Sequence, residues 1–228
     1  RRRRRGAGMS VKRIAVLVSG GGTNLQALID AQERGDFING RIAAVIASKP
    51  GAYALERAKR ANIPGYVVAR RDYDSSRAMT AALVDKLNSL DIDLVVLAGF
   101  MVILTEEMVR AYPNAILNVH PALIPSFCGE GYYGLHVHEK ALEYGVKVSG
   151  ATVHFVSEEC DGGPIVLQRA VAVEENDTPE TLQRRIMEQA EWVILPRAVS
   201  LFCQGRLRVE GRTVRILKPL QLSKECLQ

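Results

Sequence analysis

Three polar side chains stand where chemistry could be done. In "ILNVHP", Asn118 and His120 take alternate positions at the end of an apolar run. Alternate residues of a strand share a face, so the amide and the imidazole point the same way, and Pro121 stops the strand there. An amide N–H beside an imidazole suits a developing oxyanion, and an imidazolium can also pass on a proton. Further on, "CDGGP" sets Asp161 ahead of two glycines and a proline, in a turn that projects a carboxylate from between two strands. Near His120 such a carboxylate raises the imidazole pKa and can receive a proton through water. Taken alone, each fragment has a plainer reading: a strand-end histidine is often structural, and Asp-Gly-Gly is an ordinary turn.

A fourth stretch, "SGGGTN" from Ser19 to Asn24, directly follows the apolar run "KRIAVLV". A glycine-rich turn from a strand into a helix exposes backbone N–H groups at the helix N-terminus, where a phosphate is favoured. Thr23 and Asn24 add side-chain donors. A merely tight connection is the alternative, but one glycine would suffice for that and three leave room for a ligand. No Lys follows in the P-loop position. The dinucleotide fingerprint also fails, with Leu25 in its third glycine place and Ser48 and Lys49 where a ribose-binding acid belongs. A phosphomonoester site fits, not NAD.

The elements that must hold these groups alternate from Arg13 to Val119: "RIAVLV", "TNLQALIDAQE", "RIAAVIAS", "AYALERAKRAN", "YVVA", "SRAMTAALVDKLNSL", "LVVLAGF" and "AILNVH". Continuous apolar strands between helix-period stretches predict an α/β fold, a doubly wound, mostly parallel sheet with helices on both faces. Asn118 and His120 then lie at its carboxyl edge, where such folds bind ligands. After Leu135 the longer alternating runs "VKVSGATVHFV" and "PIVLQRAVAV", separated by "SEECDGG", predict an appended antiparallel hairpin. A helix from about Thr178 to Phe202 follows, capped by Asp177 or Thr178 with Pro179 in its first turn, and Pro196 should kink it or end it early. "GRLRVEGRTVRIL" predicts a second short hairpin.

Composition narrows the class. The chain has 228 residues, 47% of them apolar, which is enough for a substantial core. The net charge of +5 resides in Arg1–Arg5, without which basic and acidic residues balance. Residues 1–8 therefore read as an Arg-rich scar or mistaken start, with a nucleic-acid or membrane-surface tail as the alternative. No run reaches the ~18 apolar residues of a membrane helix. Cys128, Cys160, Cys203 and Cys226 are widely spaced with no C-x-x-C pair, which speaks against zinc and against a disulfide framework and for a reducing cytoplasm. His136 and His138 form His-x-His without an evident third ligand, so no metal is expected. His154, alternating with Thr152, reads as a hydrogen-bonded core residue near the site.

In order along the chain, "SGGGTNLQALI", "VVLAGFM", "ILNVHPALIPSF" and "GATVHFVSEECDGGPIVLQ" resemble the motifs of the phosphoribosylglycinamide formyltransferases, with similarity running from about Arg13 to Val209. The resemblance implies a folate-dependent formyl transfer of purine biosynthesis: the amine of glycinamide ribonucleotide attacks the formyl carbon of 10-formyltetrahydrofolate, without a covalent enzyme intermediate. It implies catalytic roles for Asn118, His120 and Asp161, with His120 held in its charged form by Asp161. The ribonucleotide phosphate would sit at Gly22, Thr23 and Asn24, with Arg77 and Glu191 as further nucleotide contacts. The reduced folate would lie along Met101, Val102, Ile103 and Leu104 and along Ser157, Glu158, Glu159 and Cys160. One formyltransferase domain is implied over residues 9–210, nucleotide-binding to about residue 110 and folate-binding and catalytic beyond it, with 211–228 as a tail. A monomer or homodimer is expected, with no membrane or nucleic-acid partner.

Two stretches depart from the family pattern. Val102 stands where an Arg is usual, so any ionic contact that Arg makes must be absent or supplied elsewhere. "SFCGEGYYGLHVHEKAL" is longer than its counterpart and predicts a mobile loop over the site at 126–135. The rival readings are a formyltetrahydrofolate deformylase, expected to carry a regulatory domain ahead of the catalytic one, and a methionyl-tRNA formyltransferase, expected to carry a C-terminal tRNA-binding domain. A noncatalytic nucleotide-binding module would leave Asn118, His120 and Asp161 without a joint purpose.

Overall fold

Apolar strands that alternate with amphipathic helices build one nine-stranded sheet in the computed structural model, which describes residues 10–219. The Arg-rich head and Cys226 lie outside the described residues. The chain runs β1 (Lys12–Val18), α1 (Thr23–Glu33), β2 (Gly40–Ala47), α2 (Tyr53–Arg60), β3 (Gly65–Val67), a 3-10 turn at Arg70–Asp72, α3 (Ser76–Ser89), β4 (Leu94–Leu97), α4 (Glu106–Ala111) and β5 (Ile116–His120). Then follow α5 (Leu135–Tyr144), β6 (Val148–Phe155), β7 (Ile165–Ala172), α6 (Pro179–Ile186), a π turn (Met187–Glu191), α7 (Trp192–Cys203), β8 (Leu207–Glu210) and β9 (Thr213–Ile216).

The strand order is β3-β2-β1-β4-β5-β6-β7-β9-β8. The first five strands are mutually parallel, whereas β6 is antiparallel to both β5 and β7, which is the predicted appended hairpin. The terminal hairpin β8–β9 joins β7 through the single pair Ile165–Thr213. Two apolar clusters cover the two faces of the sheet. Ile14, Val16 and Val18 of β1 pack with Leu25, Leu28 and Ile29 of α1 and with α7, while Ala15 and Leu17 pack with Met79, Leu83 and Leu87 of α3 and Met108 of α4. The period-2 alternation of a fully buried strand thus feeds both cores. Because β1 and β4 are neighbours whose following helices lie on opposite faces, a crevice opens at their carboxyl ends.

The C-terminal helix departs from expectation. Thr178 caps α6, its hydroxyl accepting the Thr181 N–H, but the segment then winds through the π turn before α7 and continues past Pro196 to Cys203. Pro196 lies one turn into α7, so the carbonyl its ring cannot meet is that of Trp192, at the junction where the wider winding already interrupts the i→i−4 ladder. The proline is therefore accommodated rather than terminating. Two short helices, α4 and α5, were not separately marked by the pattern of apolar runs.

Candidate active site

His120 ends β5 and is 4% exposed. Its Nε2 lies 2.7 Å from the carbonyl oxygen of Phe127, and its Nδ1 lies 3.5 Å from Oδ2 of Asp161. His154 of β6, registered opposite Asn118, closes the group. Its Nδ1–H donates to the Phe155 carbonyl (2.9 Å), which leaves Nε2 between Asn118 Nδ2 (3.2 Å) and Asp161 Oδ1 (3.5 Å). The two carboxylate oxygens of Asp161 therefore face two different imidazoles, and Oδ2 also accepts the backbone N–H of Gly129 at 2.9 Å. Amide, imidazole and carboxylate come together from β5 and from the 157–164 turn, with His154 as the joint between them.

The electrostatics correct one expectation. Burial depresses the pKa of His120, and although Asp161 and the Phe127 carbonyl push it back up, the net direction is down. Burial likewise pushes Asp161 up, but the His154 hydrogen bond, the charge of His120 and the Gly129 N–H together carry it below the usual carboxylate value. The resting site thus combines an ionised Asp161 with a His120 that is harder to protonate than a free imidazole; a neighbouring carboxylate does not outweigh removal from water. Behind it lies a residue the sequence reading left out of the site. His138 of α5 is 1% exposed, with both ring nitrogens unpartnered, and burial and the nearby His120 push its pKa down to about 4. It sits on the inward stripe of α5 with Val137 and Ala141, a helical spacing that could have flagged it. His136 turns outward to Glu139 (3.1 Å), so the His-x-His pair does not converge. Among the described residues no cluster of three metal-ligating side chains occurs.

The glycine turn has a divided purpose. Gly22 is left-handed (φ 74°), and a Cβ there would lie 2.7 Å from the Cβ of Ala54 in α2, so this glycine serves both a turn and the close approach of a helix. Gly20 and Gly21 face open space, with nothing within 4 Å of an added Cβ. The first turn of α1 has no capping side chain and no acidic residue. Asn24 there donates through Nδ2 to Glu191 Oε1 (3.3 Å), while its own Oδ1 is buried without a partner. Glu191, in the π turn, is 6% exposed, and burial raises its pKa to about 7 against the lesser, opposite effect of Asn24. A π turn widens a helix by one residue, and here it carries the carboxylate to α1.

The remaining predicted contacts scatter around the same edge. Met101 and Ile103 are exposed, at 58% and 81%, whereas Val102 and Leu104 pack inward on the α3–α4 cluster. Val102 is thus a packing residue. Glu158, Glu159 and Cys160 are exposed, and the Ser157 hydroxyl donates to the Glu159 carbonyl. Arg77, at the start of α3, is exposed and paired with Glu107 rather than with any of the residues above. The 121–134 segment is pinned near its start: Thr152 Oγ1 donates to the Ala122 carbonyl (2.7 Å) and accepts the Ile124 N–H (3.1 Å).

A family model described as formyl transferase matches residues 12–199. The chain belongs to the formyl transferase family. It is 46% identical over 200 residues to a phosphoribosylglycinamide formyltransferase of Haemophilus influenzae, covering 88% of this chain and 91% of that one. The crystal structure of glycinamide ribonucleotide transformylase 1 from Symbiobacterium toebii superposes with a TM-score of 0.86 at 49% identity, over 92% of this chain and 96% of that one. A formyltetrahydrofolate deformylase from Pseudomonas syringae pv. tomato also shares the fold, with a TM-score of 0.80 at 27% identity, over 91% of this formyl transferase and 66% of that chain.

Proposed function

We propose that this formyl transferase moves the formyl group of 10-formyltetrahydrofolate to the amine of glycinamide ribonucleotide, a step of purine biosynthesis. The observation that carries the reading is the meeting of His120 and His154 on one ionised Asp161, with Asn118 joined to it through His154, at the same edge of the sheet as a glycine turn whose Asn24 keeps a buried oxygen unpartnered. The ribonucleotide phosphate lies against Gly20 to Asn24 on the uncapped N–H groups of α1. Asn24 and Glu191 take the ribose or glycinamide end, and Arg77 is retained as an outer contact. The folate lies along Met101–Leu104 and Ser157–Cys160, with the exposed Met101 and Ile103 supplying apolar cover.

In the reaction the amine nitrogen bonds to the formyl carbon, and a tetrahedral oxyanion forms. Asn118 donates to that oxygen, and the new negative charge near that of Asp161 offsets the effect of burial on His120 and favours its protonated form as the oxyanion develops. Asp161 accepts the proton lost by the amine through water, the carbon–N10 bond breaks, and N10 of the folate takes a proton. No metal has a part in it. We place the enzyme in the cytoplasm on the wide spacing of its cysteines; among the described residues no helix is long and apolar enough to cross a membrane.

The test is to incubate the purified protein with 10-formyltetrahydrofolate and follow its loss with and without glycinamide ribonucleotide. Turnover that depends on the nucleotide, with formylated nucleotide as product, is expected. Nucleotide-independent loss of the formyl group would favour the hydrolase that shares the fold.

A further inference from the structure

Between β1 and β4, where the crevice opens, one buried hydroxyl joins the two loops that leave these strands. Ser19 is 7% exposed; its N–H donates to the Gly99 carbonyl (3.2 Å), and its Oγ accepts the Met101 N–H (2.8 Å). The same Oγ is 2.6 Å from the hydroxyl of Ser48, itself 8% exposed, at the end of β2. Ser19 also begins the glycine turn, whose Gly20 carbonyl is held by the N–H of Ala54 (3.1 Å). On the other side, the 101–104 stretch turns Met101 and Ile103 to solvent, and hydroxyls hold its backbone at both ends, Ser19 at Met101 and Thr80 Oγ1 at Thr105 N–H (3.2 Å). A buried hydroxyl spent on a neighbouring loop is costly to leave unpaired, so the two loops move together or lose that bond.

We propose that Ser19 is a positioning residue that couples the two substrate subsites: a ribonucleotide held on the glycine turn fixes Ser19, and Ser19 fixes the Met101–Leu104 backbone in the form that takes the folate. The inference rests on the substrates named under Proposed function. Part of the ordering that folate binding requires is then met beforehand by the nucleotide, and by reciprocity the folate tightens nucleotide binding by the same factor. Ser48 holds the Ser19 hydroxyl in orientation, whereas the Met101 N–H is taken by Ser19 itself, so the effect of Ser48 is the smaller.

The experiment is a calorimetric titration of wild type, Ser19→Ala and Ser48→Ala with 5-formyltetrahydrofolate, alone and with saturating glycinamide ribonucleotide. In the wild type the nucleotide should tighten folate binding about tenfold. In Ser19→Ala that factor should fall to about one, with folate affinity in the absence of nucleotide within about threefold of wild type, while Ser48→Ala keeps most of the coupling. Equal coupling in Ser19→Ala and wild type overturns the proposal, as does a wild type that transfers formyl groups yet shows no coupling. A uniform loss of both affinities with a lowered Tm in Ser19→Ala also overturns it, since that marks a role in folding alone. A wild type that binds neither ligand and transfers no formyl group from 10-formyltetrahydrofolate would instead remove the functional reading and this inference together.

Discussion

Asp161 adopts a left-handed backbone (φ 52°), tolerable for an aspartate but uncommon, and a Cβ at Gly163 would collide with the Phe155 carbonyl. The turn is shaped to deliver one carboxylate to two imidazoles. Asp161→Asn keeps the size and the backbone preference while removing the charge and replacing one of the two acceptor oxygens that face His120 and His154 with a donor. Turnover should fall about 10²- to 10⁴-fold with little change in the urea midpoint; a variant of wild-type turnover would take Asp161 out of the mechanism. Glu191 makes a different prediction. The folded protein keeps its proton up to about pH 7, against 4.5 for the free group. The raised pKa means the contribution to stability is fully present below pH 4.5 and is lost as pH rises through 7, a total of about 3 kcal/mol. Glu191→Gln, which cannot ionise, should therefore be more stable than wild type at pH 8 and equal to it at pH 4, while binding the ribonucleotide more weakly. Urea midpoints at the two pH values check this, and a pH-independent difference would refute it.

At the scale of elements, the β1–α1 connection separates glycine as backbone from glycine as space. Gly22→Ala must place a side chain in the left-handed region and against Ala54, at a cost of about 1–3 kcal/mol in stability. Gly20→Ala meets neither obstacle and should leave stability within about 0.5 kcal/mol, but it fills the space assigned to the phosphate and should raise the KM for the ribonucleotide at least about tenfold. Measuring denaturation midpoint and KM for both variants tests the division; a Gly20→Ala protein with unchanged KM would move the phosphate elsewhere. The π turn shows the same economy. It was illegible in "RRIMEQAEWVILP" because the apolar period there reads as an ordinary helix, and the extra residue per turn is set by where α6 and α7 must each pack.

For the whole molecule, the shared strand decides the cooperativity. Ile14, Val16 and Val18 belong to one apolar cluster and Ala15 and Leu17 to the other, so neither face can lose its packing while β1 keeps its place. The elements on the two faces of the sheet should therefore unfold together. Calorimetry should give a single transition with equal calorimetric and van't Hoff enthalpies. Two resolved transitions would divide the chain into separate domains.

Local pattern was enough for much of this protein. Buried parallel strands announce themselves as uninterrupted apolar runs, the Asn118–His120 spacing follows from the two-residue repeat of a strand, and Asp-Gly-Gly-Pro marks a turn that projects a carboxylate. These are properties of neighbours in the chain. Three things depended on groups far apart in it: the joining of Asn118 to Asp161 through His154, the net fall of the His120 pKa, and the burial of His138 and Glu191. Each arises from solvent exclusion and from contacts that exist only once β5, β6, α5 and the π turn have packed, and a linear pattern of residue types carries neither dielectric nor distance.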